Sequence, residues 1–250
     1  MPRMALTVPT HPLVVGLKLW RPRWFDGVAL VVGSIAPDLA YALDGSGLPV
    51  WKVSHGLRGF VFWCVPVTLV LSWLIRWAAP VVASHLPRAG PLALRDYGVL
   101  GRSRHPWWVA CWSAVAGAVS HLLLDFAELQ MPVVEPVMHV LGAAGLLALL
   151  VHVGRRRLLV RWHGIGAVTP SRPVQFWAVA TVVALLLAVP VPFLPGAALL
   201  HTTGVRLLLA VGAGLLVAAA WHRHIIAAVP TRRGRLAWRR FRGRRRRVSC

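Results

Sequence analysis

Carboxylate side chains are scarce in this chain, which has 7 Asp and Glu residues against 28 Lys and Arg among 250 residues. Charged residues make up 14% of the sequence and hydrophobic residues 57%, whereas a typical soluble domain has roughly 25% charged residues. This shortage of charge, together with long apolar runs, indicates a polytopic membrane protein. In a soluble protein the net charge of +21 would suggest a nucleic-acid partner. Here the basic residues flank apolar segments, which is typical of membrane topology.

Cysteine is also rare, with 3 residues, and no disulfide framework is expected. Cys64 and Cys111 lie inside apolar runs, where cysteine acts as a small hydrophobic residue. Cys250 is the last residue and therefore does not form a prenylation motif. The N-terminus lacks a clear signal-peptide core and cleavage site, so we expect it to remain in the mature chain.

Six apolar segments are long enough, or nearly so, to cross about 30 Å of hydrocarbon as helices. They are residues 26–43, 59–80, 106–126, 136–153, 174–194 and 203–221. A shorter apolar stretch at 11–20 predicts an interfacial helix, a half-crossing helix or a seventh span. The predicted fold is thus an all-α polytopic transmembrane bundle at residues 1–222, followed by a basic tail at 223–250 that we expect to be disordered.

Lys and Arg counts between the segments alternate between high and low along the chain. The positive-inside rule then predicts a cytoplasmic C-terminus. The tail after residue 222 carries eleven arginines, interleaved with Trp238 and Phe241. We expect it to contact anionic lipid headgroups of the bilayer rather than nucleic acid. The sequence does not indicate an oligomeric state.

The stretch SHLLLDFAEL at 120–129 places three polar side chains on one face of a helix, because its spacings are four and three residues. The predicted topology puts this stretch at the outer end of the third segment. Other acids and histidines fall on the same side, although ionisable groups at membrane depth are costly. The outer set is Asp38, His55, His121, Asp125, Glu128, Glu135 and His139, with Asp44 close by.

Imidazoles and carboxylates on facing helices are the donor set that a divalent metal such as Zn²⁺ takes, with water completing the coordination. A metal there would lower the pKa of its water to about 7 and supply a nucleophile for hydrolysis. A simpler interpretation stays open from the residues alone. His121 could bond Asp125 on the helix surface, Asp38 could cap a short helix, and His55 could be a solvated loop residue.

Four stretches resemble an uncharacterised family of bacterial multi-pass membrane proteins known only as a domain of unknown function (four-one-eight-four). They are THP at 10–12, the GSIAPDLAYAL run containing Asp38, the SHGLRGFVFWCVPVTLVL run from Ser54, and SHLLLDF. The resemblance covers roughly residues 5–150 and implies a bacterial cell membrane as the location. The family pattern His–x3–Asp–x2–Thr–His is matched by His121 and Asp125. Glu128 and Leu129 depart from it.

That family is distantly similar to inner-membrane proteins described as metal-dependent hydrolases. The similarity implies a metal site formed by His11, Asp38, His55, His121 and Asp125. In a hydrolase of this kind Glu128 would be a further ligand or a general base, so Asp125 and Glu128 are the candidate catalytic residues. It also favours a half-crossing or spanning helix at 11–20, because His11 must lie near the others. A lipid-linked phosphoester is the expected substrate class, because the site would lie at headgroup depth.

Two other functions stay open from the sequence. The first is a non-enzymatic structural, assembly or transport component of the membrane. The fifth and sixth segments contain almost no polar residues besides Thr181 and Arg206, which disfavours a pathway for charged substrates. The second is a nucleic-acid-binding tail on a membrane anchor.

Overall fold

The computed structural model describes residues 11–88, 90–102, 105–130, 135–166 and 169–228, and it contains only helices and connecting turns in these ranges. The predicted all-α class is therefore confirmed. The helices are α1 (Gly16–Trp20), α2 (Gly27–Leu39), α3 (Val50–Ser54), α4 (Leu57–Gly59), α5 (Val65–His85), α6 (Trp107–Gln130), α7 (Glu135–Arg155), α8 (Leu158–His163), α9 (Pro173–Ala188) and α10 (Leu200–Ala228).

Five helical segments are long and apolar enough to cross a membrane, which makes the chain a multi-pass membrane protein. They are Leu57–His85, Trp107–Ala127, Val137–Arg155, Pro173–Phe193 and Leu200–Ile225. These agree with five of the six predicted segments. Large apolar side chains such as Leu186, Val140 and Phe62 are exposed on their surfaces, as expected for helices that face lipid.

The remaining predicted segment, 26–43, forms a shorter apolar helical stretch at Gly27–Leu43. Its α-helix ends at Leu39, two residues after Pro37, and continues as a 3₁₀ turn at Ala40–Leu43. A proline inside a helix removes one backbone hydrogen bond and favours an early end. The turn that follows contains Gly45 with φ +83°, where a side chain would be strained.

The N-terminal stretch folds as a 3₁₀ turn at His11–Val15 that continues into α1. These ten residues extend about 15–20 Å, which is too short to cross about 30 Å of hydrocarbon. Both His11 and Lys18 are buried against the bundle. The stretch is therefore too short for a seventh span, and the choice between an interfacial and a half-crossing helix stays a prediction.

Helices α2 and α6 run side by side in the same direction and pack at backbone contact. A Cβ atom at Gly33 would lie 2.6 Å from the Ala114 carbonyl oxygen, and one at Gly117 would lie 2.4 Å from the Leu30 carbonyl oxygen. Small residues at a helix interface allow this approach, which is common between membrane helices. The pair is thereby held in a fixed register along its whole length.

At the start of α2, Asp26 holds the register of this pair. Its backbone N–H donates to the Ser113 hydroxyl at 2.8 Å, and its carboxylate accepts from the backbone N–H groups of Val28 and Ala29. The second carboxylate oxygen pairs with Arg76 of α5. Asp26 is thus a helix cap and a neutralised ion-pair partner.

The predicted basic tail lies almost wholly outside the described residues, which end at residue 228. Helix α10 continues to Ala228, so the chain just after residue 222 is helical. The expected lipid contacts of residues 229–250 stay a prediction.

We predict that Gly117→Ala lowers the stability of the protein by about 1–3 kcal/mol, the usual cost of overpacking a tight interface. Gly212→Ala in α10 is the matched control, because a Cβ there meets nothing within 4 Å. Thermal unfolding in nanodiscs should show a lower midpoint for Gly117→Ala only. Equal midpoints would contradict the close α2–α6 contact.

Candidate metal centre

Four chain segments bring five polar side chains to one place at the end of the α2–α6 pair. His11 comes from the N-terminal 3₁₀ turn, Asp38 from the last turn of α2, and His55 from the break between α3 and α4. His121 and Asp125 stand one turn apart on α6. We call these five residues the His/Asp cluster.

The centre of the cluster is the Nε2 atom of His121, which faces two carboxylates. It lies 3.2 Å from Asp125 Oδ2 and 3.4 Å from Asp38 Oδ1. His55 approaches the same two oxygens, with its Nε2 atom 3.6 Å from Asp125 Oδ2 and 4.0 Å from Asp38 Oδ1. Two carboxylates from different helices therefore share two imidazoles.

His11 completes the cluster by packing against His121. The two imidazole rings stack with centroids 4.1 Å apart and an interplanar angle of 25°. Two sets of three residues could each hold a metal ion, because the three donor atoms of each set lie within 4.8 Å of one another. The sets are His11, Asp38 and His121, and His55, His121 and Asp125. Burial lowers the pKa of His11 to about 4, aided by the neighbouring His121 and opposed by Asp38, so His11 is the neutral imidazole that binds metals.

The orientation of His121 is fixed by the close contact of α2 and α6. Its Nδ1 atom lies 2.8 Å from the backbone carbonyl oxygen of Ser34 on α2, a hydrogen bond in which Nδ1–H must donate. In a neutral imidazole the Nε2 atom then carries a lone pair. A histidine that donates one N–H to a backbone carbonyl and presents the other nitrogen is the usual arrangement of a metal ligand.

This arrangement needs a positive charge between the donors. The His121 side chain is 0% exposed, and its Nε2 lone pair would face two anionic oxygens at 3.2 and 3.4 Å. Either a second proton on His121 or a bound cation must offset that repulsion. The donor set of imidazoles and carboxylates, without a cysteine, fits a divalent cation.

His55 is held in place by an irregular segment that the sequence did not predict. The helix breaks after Ser54, resumes as α4, and passes through a π-helical turn at Phe60–Cys64 before α5 begins. Gly59 allows this fold, because a Cβ atom there would lie 2.0 Å from the Val53 carbonyl oxygen. π-helical turns occur frequently at functional sites.

A hydrogen bond ties the π-helical turn to α2. Trp63 Nε1 donates to the Ala36 carbonyl oxygen at 2.9 Å, two residues before Asp38. Next to His55, the Ser54 hydroxyl lies 2.8 Å from His55 Nδ1. The side chain of His55 is thereby oriented with its Nε2 atom toward the carboxylates.

The cluster is open on the side of its carboxylates. The Asp38 and Asp125 side chains are 15% and 29% exposed, whereas those of His55 and His121 are 4% and 0% exposed. Asp125 lies two residues before the end of the span Trp107–Ala127. A molecule at the membrane surface would therefore meet Asp125 first.

The side chain of Glu128, one of the two predicted catalytic residues, lies outside the described part of the structure. The same holds for the side chain of Leu129, the other departure from the family pattern. The role of Glu128 as a ligand or general base stays a prediction. Thr10 of the THP motif is likewise outside the described residues.

Three polar residues near the cluster were not part of the predicted metal site: Tyr41, Asp44 and His201. The Tyr41 ring lies 5.8 Å from that of His55 and 4.6 Å from that of His201. His201 Nε2 lies 3.7 Å from Asp44 Oδ2. His201 has no acidic neighbour in the sequence. Only its predicted location on the same side of the membrane as Asp44 could have indicated this pairing.

The buried histidines near the opposite end of the bundle have structural partners instead. His85 Nε2 accepts the backbone N–H of Arg172 at 3.0 Å, and its Nδ1 lies 2.8 Å from the Val81 carbonyl oxygen. His222 Nε2 lies 2.9 Å from the Pro170 carbonyl oxygen. These two histidines join α5 and α10 to the segment before α9.

Comparison with known families identifies one match, at residues 4–127, described as Domain of unknown function (DUF4184). No curated protein and no solved structure matches the chain. The matched region ends near the end of α6 and includes all five residues of the His/Asp cluster. Residues 4–127 are therefore similar to the DUF4184 family, which is described as a domain of unknown function.

Proposed function

We propose that the protein is a metal-dependent hydrolase of the bacterial cell membrane that acts on a lipid-linked phosphoester. The observation that carries the proposal is the buried Nε2 atom of His121 facing the carboxylates of Asp38 and Asp125. One divalent cation would be held there by the His/Asp cluster. Zn²⁺ is the cation that best suits three imidazoles and two carboxylates.

The cation would supply Lewis acidity and lower the pKa of a water molecule to about 7. The chain's own residues orient and neutralise the site. The Ser34 carbonyl fixes the tautomer of His121, and the imidazoles of His11 and His121 are both buried. Asp125, the more exposed carboxylate, is positioned to accept a proton from an entering nucleophile.

The substrate class follows from the depth of the cluster. Asp125 stands near the end of a membrane span, where a phosphate ester attached to a lipid would also lie. The alternation of Lys and Arg counts supports a cytoplasmic C-terminus and hence a cluster on the outer side of the membrane. Soluble phosphoesters would lack the lipid that brings them to this depth.

We predict that the purified protein, after supplementation with Zn²⁺, retains one metal ion per chain, and that His121→Ala and Asp38→Ala lose it. Each substitution removes a donor atom from the centre of the cluster, and removing ligands or their supports commonly lowers metal affinity at least tenfold. Elemental analysis by mass spectrometry after dialysis provides the measurement.

His152→Ala is the matched control, because His152 is exposed on α7. It should retain the metal at the level of the wild type. A wild-type protein without metal would contradict the proposal. In that case the cluster would be an ion pair in which a protonated His121 joins two aspartates.

We also predict that the Zn²⁺-loaded protein releases phosphate from phosphatidic acid or a prenyl diphosphate in nanodiscs, and that Asp125→Asn lowers kcat at least about a hundredfold. The same assay, combined with the elemental analysis of bound metal, distinguishes the two possible roles of Glu128. Glu128→Gln should keep the metal and lose rate if Glu128 is a general base, and should lose both if it is a ligand. Equal kcat values for Asp125→Asn and the wild type would contradict a catalytic role for the cluster.

A further inference from the structure

A second polar centre lies at the opposite end of α2 from the His/Asp cluster. It borders a cavity of about 310 Å³, near the lower end of the range of about 300–1,000 Å³ for small-molecule sites. Asp26 borders this cavity at the start of α2, and Asp38 lies in the cluster at the end of α2. Twelve residues of helix separate them, or about 18 Å. The cavity is therefore a separate site.

Most of the cavity wall is apolar. Val31 and Val32 of α2, Leu146 and Leu149 of α7, and Trp162 of α8 are among the residues that line it. Such a wall suits a hydrocarbon chain rather than a polar metabolite. The volume at the lower end of the range suits one chain rather than two.

Besides Tyr97, the polar residues of the wall are Lys18, Asp26, His105 and His163. Lys18 is 2% exposed. Its ammonium group donates to the carbonyl oxygens of Pro22 and Phe25, and it lies 2.9 Å from His105 Nε2. These three acceptors are neutral, so they satisfy the hydrogen bonds of Lys18 without offsetting its charge.

Asp26 offsets that charge only in part, because its carboxylate also pairs with the cationic Arg76. One carboxylate oxygen accepts the two backbone N–H groups at the start of α2, and the other pairs with Arg76. The group of Lys18, Arg76 and Asp26 therefore keeps a net positive charge. Burial lowers the pKa of Lys18 to about 8; Asp26 opposes this change, and Arg76 adds to it.

The two histidines offer N–H donors at the same end of the cavity. Because Lys18 donates to His105 Nε2, a neutral His105 carries its proton on Nδ1. The rings of His105 and His163 meet edge to face, with centroids 6.2 Å apart. Burial lowers the pKa of His163 to about 4, and the neighbouring Lys18 and His105 act in the same direction, so His163 is also neutral with one N–H.

We infer that this cavity binds a single-chain anionic amphiphile, with its carboxylate or phosphate head at Lys18, His105 and His163 and its alkyl chain between α2 and α7. The anion would offset the buried ammonium, and the chain would fill the apolar cavity. This inference is independent of the proposed hydrolase activity, since it uses none of the residues of the His/Asp cluster.

The test is equilibrium binding of radiolabelled dodecanoate to the full chain in phosphatidylcholine nanodiscs, with empty nanodiscs subtracted. Leu149→Trp fills the cavity, and Leu147→Trp is the matched control, because Leu147 is 58% exposed on the same helix. Lys18→Met removes the charge while keeping a side chain of similar length. Thermal unfolding of each variant verifies that it is folded.

We expect saturable binding to the wild type and to Leu147→Trp, and binding at least tenfold weaker in Leu149→Trp. Dodecyltrimethylammonium should bind at least tenfold more weakly than dodecanoate to the wild type, and Lys18→Met should lose this preference. Inorganic phosphate and acetate should compete only at far higher concentration, because they lack the chain.

The inference would be overturned by non-saturable binding to the wild type, by equal binding in Leu149→Trp and Leu147→Trp, or by equal binding of the cationic amphiphile. Competition by inorganic phosphate at the concentration of dodecanoate would overturn the role of the chain. Should Leu149→Trp fail to fold, Val31→Phe fills the same cavity from α2, and the comparison of anionic and cationic amphiphiles uses the wild type alone.

Discussion

The hydrogen bond between His121 Nδ1 and the Ser34 carbonyl is the interaction on which the His/Asp cluster depends. It forms because Gly33 and Gly117 bring the backbones of α2 and α6 into contact. It fixes the Nε2 atom of His121 toward Asp38 and Asp125, where the anionic oxygens require a cation in a poorly solvated place. The fold thus places the His121 Nε2 atom against two anionic oxygens, and a divalent metal bound between them would remove the repulsion.

The sequence predicted the parts of this structure that are set by local pattern. Apolar runs located the five long spans, and the side assignment from Lys and Arg counts grouped Asp38, His55 and His121 correctly at one end of the bundle. His11 was included among the predicted ligands only because of the family resemblance. The short apolar stretch at 11–20 does not by itself show that it packs against the other helices. The first predicted span was longer than the helix that forms, since Pro37 ends α2 early.

Features that depend on contacts between distant residues could not be predicted. The π-helical turn before α5 is tied to α2 by Trp63 and allowed by Gly59, and neither contact is visible in a hydropathy pattern. The pairs Asp26–Arg76 and Asp44–His201 join residues from separate helices or loops. Asp26 caps α2 and neutralises Arg76, and the sequence pattern predicts neither role. The described acids all have partners, whereas the buried Lys18 is satisfied by backbone carbonyls and His105 rather than by a carboxylate of its own.

The central claim, that the His/Asp cluster binds a metal, is tested most directly by zinc X-ray absorption spectroscopy of the purified, Zn²⁺-loaded protein. The account predicts a first shell of nitrogen and oxygen atoms at about 2.0–2.2 Å without sulfur, together with the outer-shell scattering of imidazole rings. A shell of water oxygens alone, a sulfur ligand, or no retained zinc would contradict it.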